Sequence, residues 1–90
     1  VDAERMGLIN KCVEKKQLKQ YVFDFASRIA MNAPLTVLAS KAAINEGLKN
    51  FEEQNLDIIA QMVDKCFRSE DYVEGRNAFM EKRTPNFKGK

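Results

Sequence analysis

The chain has 90 residues, 44 % of them hydrophobic and 31 % charged, with only 4 Gly and 2 Pro. This fits one globular unit and excludes collagen-like, low-complexity and intrinsically disordered classes. Its formal net charge of +2 is too small to demand a nucleic-acid or membrane partner, and with 0 His it has no histidine triad, histidine metal site or histidine pH switch.

The first residues, Val1-Asp2-Ala3-Glu4-Arg5, carry neither a Met nor a basic-then-apolar leader, and read as the interior of a longer protein. Gly7 to Val13 is a short apolar run with β-branched residues, closed by the charged Glu14-Lys15-Lys16, and predicts one short strand over Leu8–Val13. Nothing else in the chain could pair with it. Cys12 and Cys66 stand far apart with no CxxC spacing, and are expected as two buried, reduced thiols. Two thiols without an imidazole are too few to hold a structural zinc ion, so no metal is expected.

From Gln17 the period turns helical. Leu18, Val22, Phe25, Ala26, Ile29, Ala30 and Ala33 form one apolar stripe, which Asn32-Ala33-Pro34 stops because the residue before proline is driven out of the α region. Pro34 suits the first turn of a second helix, which carries Leu35, Leu38, Ala39, Ala42, Ala43 and Leu48, with Gly47 near its end, and whose alanine-rich face is small and lets a neighbour approach closely. Asn50 is the predicted cap of a third helix, with Glu52 and Glu53 in its first turn. Leu56, Ile59, Ala60, Val63 and Phe67 line one side of it, and Ile58, Met62 and Cys66 a second, so it should lie wedged between two partners. Ser69 caps a fourth helix running to about Arg83, with Tyr72, Arg76, Phe79 and Met80 on one side. Thr84-Pro85 should end it, leaving a polar, loose tail over residues 86–90. No stretch approaches the ~20 apolar residues of a membrane span.

Charge is uneven along the chain. Residues 1–80 hold 11 Lys/Arg against 12 Asp/Glu, whereas residues 81–90 hold Lys82, Arg83, Lys88 and Lys90 against Glu81 alone. The basic end suits either the negative pole of the last helix or a phosphate group. The acidic pairs Glu52/Glu53 and Glu70/Asp71 stand at helix starts, where capping accounts for them, and no pair is placed for general acid–base work.

Several segments resemble the enoyl-CoA hydratase/isomerase (crotonase) family. Ala3 to Asn10 is similar to its A-x-x-x-G-L-V-x segment, Ile29-Ala30 through Ala33-Pro34 to its I-A-x-x-A/S-P helix break, and Lys41 to Asn45 to its K-x-x-I/V-N segment. The most specific run, Cys66 to Gly89, resembles the closing F-x-S/T-x-D-x-x-E-G-x-x-A-F-x-E-K-R-x-P-x-F-K-G. The resemblance covers essentially the whole chain and implies the last third of a family member. It implies a mainly α fold, one short strand and about four helices, with residues 1–14 ending a ββα spiral core, 15–84 helical, and 85–90 a tail.

On that resemblance the parent acts on acyl-CoA thioesters, with hydration of 2-enoyl-CoA the expected reaction. Its catalytic acids and oxyanion hole would lie upstream, so this segment has no catalytic residues of its own. Coenzyme A enters as part of the substrate and no separate cofactor is implied. Lys82 matches a lysine that contacts the CoA nucleotide phosphates, and Val63 a position where relatives often place an aromatic against CoA and where valine offers only apolar packing. Arg83 and Phe79 are alternatively structural, as an ion pair and an anchor for the last helix. The family further implies homo-oligomers, trimers or hexamers, in the cytoplasm or, in a eukaryote, the mitochondrial matrix. Cut from its core, the segment is expected to self-associate or to fold into a bundle hiding Ile58, Met62 and Cys66. The rival readings are a stand-alone four-helix acyl-CoA-binding module, which the absence of Trp disfavours, and a nucleic-acid-binding helix pair, which lacks a basic recognition face.

Overall fold

A computed structural model describes Val1–Lys90 as five helices and two 3-10 turns, with no strand. The helices are α1 (Asp2–Arg5), α2 (Leu18–Ala30), α3 (Pro34–Gly47), α4 (Leu56–Phe67) and α5 (Glu70–Glu81). None is long and apolar enough to cross a membrane.

The strand expected over Leu8–Val13 does not form. Gly7, at φ +80°, turns the chain after α1, and the N–H groups of Leu8 and Ile9 both donate to the Ala3 carbonyl. The Glu4 carboxylate then accepts the Cys12 N–H at 2.9 Å and Lys11 Nζ at 3.1 Å. These bonds lower the Glu4 pKa, the Cys12 amide contributing most. A ladder needs a second strand, and in its absence a local acid takes the amide. Cys12 is exposed and Cys66 only partly covered, so neither is the buried thiol expected.

The break between α2 and α3 falls where the sequence places it. Ala33 is extended, Pro34 opens α3, and Asn32 Nδ2 donates to the Arg28 and Ile29 carbonyls at the end of α2. The start of α4 differs from expectation. Asn50 has no side-chain capping bond and leads a 3-10 turn, Phe51–Glu53, which removes Glu52 and Glu53 from the helix. Asn55 is the cap, its Oδ1 accepting the Ile58 N–H at 3.3 Å. The reason lies at the end of α3: the Glu46 carboxylate accepts the Asn55 N–H at 2.6 Å, is lowered in pKa chiefly by that bond, and ties the α4 entrance to α3.

α4 packs against α3, on the small face that includes Ala39, and against α5, but Ile58 stays 51 % exposed and Met62 and Cys66 are only partly covered. The four long helices therefore do not close into a bundle. α2 lies against the 3-10 turn Lys15–Gln17 before it and makes no comparable packing with α3, α4 or α5. The chain is a slab of 43 × 43 × 17 Å with a radius of gyration of 17.1 Å, against about 12 Å for a compact chain of this length. Three residues are buried: Ala39, Ala78 and Asp71.

Candidate functional site

The apolar side of α4, the small face of α3 and the side of α5 bearing Tyr72, Arg76, Phe79 and Met80 face one another across an open groove of about 790 Å³. α5 presents these residues because they recur at helical spacing after the Ser69 cap, whose Oγ accepts the Tyr72 N–H at 3.1 Å. Phe67 and Tyr72 meet edge to face, ring centroids 5.3 Å apart, across the junction of α4 and α5. The Arg76 guanidinium lies 6.0 Å from the Tyr72 ring centre. Val63 lines the groove and is 43 % exposed. Phe79, 82 % exposed, lines it too, so within this chain it anchors nothing.

Beyond α5 the chain is fixed, not loose. Asp71, 3 % exposed, accepts the N–H groups of Lys88 and Gly89 at 2.8 and 2.7 Å, and its own N–H donates to the Lys90 carbonyl at 2.9 Å. One turn later Glu74 receives both terminal nitrogens of Arg83 at 2.7 and 2.8 Å, and the Asn86 N–H at 2.7 Å. The Arg83 fork and the Asn86 amide push the Glu74 carboxyl down to about 2. Arg83 Nε donates to Glu81 at 2.6 Å, so all three nitrogens of the guanidinium are engaged. The Phe87 ring lies over Gly75, where an added methyl would come within 3.5 Å of it. A loose tail was expected because its composition is polar; what composition hides is that its amides and Arg83 have two carboxylates waiting on α5.

Lys82 sits at the hinge between helix and tail. α5 ends in a Schellman motif: the Lys82 N–H donates to Phe79 and the Arg83 N–H to Ala78, at 3.3 and 3.0 Å. The residue in the left-handed position is Lys82, at φ 56° and ψ 43°, the one non-glycine residue at positive φ. This motif, and not Thr84-Pro85, ends the helix. Lys82 is exposed and enters none of the chain's ion pairs.

Of the two sequence-derived site residues, Val63 thus stands in the groove wall, whereas Lys82 lies outside it, one residue beyond α5. Asp71 and Glu74 are what the sequence reading missed, having assigned Asp71 to capping. A signal was present, since acids three apart share one helix face, next to a downstream Arg with no other partner within reach but Glu81. No cluster of three or more His, Cys, Asp or Glu side chains could hold a metal ion.

The family profile described as enoyl-CoA hydratase/isomerase matches residues 1–90. The chain is 41 % identical over 86 residues to crotonyl-CoA hydratase of Syntrophomonas wolfei subsp. wolfei, covering 96 % of this chain and 33 % of that protein. It is 38 % identical over 82 residues to short-chain-enoyl-CoA hydratase of Clostridium acetobutylicum, covering 91 % and 31 %. A crystal structure of enoyl-CoA hydratase from Bacillus anthracis superimposes with a TM-score of 0.87 at 32 % identity, covering 99 % of this chain and 34 % of that one. The chain spans about a third of the length of the curated relatives it matches.

Proposed function

The chain belongs to the enoyl-CoA hydratase/isomerase family, and from that premise we propose that it is the helical C-terminal part of an enzyme acting on acyl-CoA thioesters, with hydration of 2-enoyl-CoA its reaction. In this reading the segment supplies contacts between subunits, or to the enzyme's own core, and part of the coenzyme A site. The chemistry belongs to residues outside it. The names of the relatives support the substrate class, and the spread of uncovered apolar faces on α2 and α4 supports the assembly role.

The observation that carries the site assignment is Lys82. A lysine in a left-handed helix cap costs about 1–2 kcal/mol relative to glycine, which is the usual occupant. Such strain persists where the side chain is needed. An exposed ammonium without an ion pair, next to the engaged Arg83, is a point charge free to meet a phosphate. Val63 supplies an apolar contact from the groove wall, with no aromatic stacking. In the full-length enzyme, Lys82→Ala should raise KM for crotonyl-CoA roughly 5- to 30-fold, or about 1–2 kcal/mol, at little change in kcat. An unchanged KM would reduce Lys82 to a helix cap. The isolated 90 residues should show no turnover of crotonyl-CoA above background.

A further inference from the structure

We propose that Glu74 and Arg83 are positioning residues for Lys82: their two-pronged ion pair locks the peptide immediately after the lysine and so aims its ammonium at one place. The inference rests on the reading of Lys82 as a contact for the CoA phosphates, and deepens it.

The geometry is specific. Lys82 is joined on one side to the last residue of α5 and on the other to Arg83, whose side chain returns to α5 a full two turns back, at Glu74. Both terminal guanidinium nitrogens reach the two Glu74 oxygens, which fixes the plane of the fork as well as its distance. Glu81 takes Nε, and the Asn86 N–H takes the remaining lone pair of Glu74 Oε2, so the tail is held on both sides of the fork. A left-handed residue between a helix end and such an anchored neighbour has little freedom to rotate φ or ψ. Lys82 itself touches no acid, so no side-chain contact directs it; its backbone is held by the Schellman bonds to Phe79 and Ala78 and, through Arg83, by the fork on Glu74. Lysine has four side-chain torsions, and a loose backbone beneath it would spread the ammonium over many places; a fixed one lets a single charge act on a phosphate.

The test compares two substrates in the full-length enzyme. Crotonyl-CoA carries the nucleotide phosphates; crotonyl-pantetheine has the same thioester and lacks them. Glu74→Gln keeps the shape and removes the charge that grips Arg83. It should raise KM for crotonyl-CoA several-fold, leave kcat within about twofold, and leave KM for crotonyl-pantetheine unchanged. Combined with Lys82→Ala it should add little, because both changes remove one contact. Arg83→Lys, which keeps the charge but loses the fork, should reproduce the pattern and stands in if Glu74→Gln folds poorly. Equal KM increases for both substrates, or full multiplicative effects in the double variant, would overturn the positioning role. If Lys82→Ala raises KM and Glu74→Gln and Arg83→Lys do not, positioning alone fails. If Lys82→Ala has no effect on either substrate, the phosphate reading of Lys82 fails and the positioning role fails with it.

Discussion

At the scale of single residues, backbone strain and the proposed phosphate contact coincide at Lys82. Replacing it by glycine would relieve the left-handed backbone, whereas replacing it by alanine would not. Lys82→Gly should therefore raise thermal stability, by up to about 1 kcal/mol, while raising KM for acyl-CoA by as much as is expected of Lys82→Ala. A melting curve beside a KM measurement for each variant checks this, and a Lys82→Gly protein less stable than Lys82→Ala would contradict it. Glu74 makes a second prediction, through pH. Its folded pKa of about 2 lies below its ordinary value of 4.5, so the unfolded chain takes up its proton first as pH falls. The stabilisation by Glu74 is complete above about pH 4.5 and is lost as pH falls toward 2. The stability difference between the native enzyme and Glu74→Gln should be widest at neutral pH and close over that interval, as followed by denaturant unfolding at stepped pH.

At the scale of elements, α4 separates two asparagines that look alike in sequence. Asn55→Ala removes a cap and should cost about 1 kcal/mol, whereas Asn50→Ala, at a position with no capping bond, should stay within about 0.5 kcal/mol. Urea midpoints of the two variants decide it. Periodicity and the acids Glu52 and Glu53 point to Asn50 as the cap, and Asn55 takes that place instead. The choice was made by Glu46, nine residues before Asn55, and a contact across a loop leaves no mark on periodicity. The same contrast runs through the other elements. The Pro34 break and the Ser69 cap were legible because their causes are local, a ring and a hydroxyl acting within three residues. The side of α5 facing the groove was legible for the same reason. The strand over Leu8–Val13 was not, because a strand is defined by a partner, and α1 was missed because a single turn of four residues has no period to detect. The tail was misjudged because the hold on its end comes from a single distant acid, Asp71, which lies 17 and 18 positions before the Lys88 and Gly89 amides it accepts. Yet Asp71, Glu74, Gly75, Arg83 and Phe87 are all letters of the motif by which the chain resembles its family most specifically. The letters of that motif are the residues that clasp the tail to α5.

At the scale of the whole molecule, surface area is the telling quantity. The chain exposes 7966 Å², about 2,600 Å² more than the roughly 5,400 Å² of a compact monomer of its mass. Such an excess of uncovered surface, with Val22, Phe23, Ile58 and Phe79 among the large apolar side chains it exposes, is of the size that obligate assemblies bury. The 90 residues alone should therefore self-associate, and light scattering should give a mass above that of one 10.3 kDa chain, increasing with concentration. A clean monomer with α2 and Ile58 solvent-accessible by hydrogen exchange would contradict this. The slab shape also changes what mutagenesis of this segment can mean. At 17 Å along its narrow axis, and with three buried residues, it has two broad faces and almost no inside. Scanning substitutions through such a layer would not sort into damaging core sites and harmless surface sites. An apolar residue of α2 or α4 exchanged for a polar one would leave the local helix standing and weaken its adhesion to whatever lies against it. Its penalty would then depend on protein concentration, and a defect invisible in a concentrated sample would emerge on dilution.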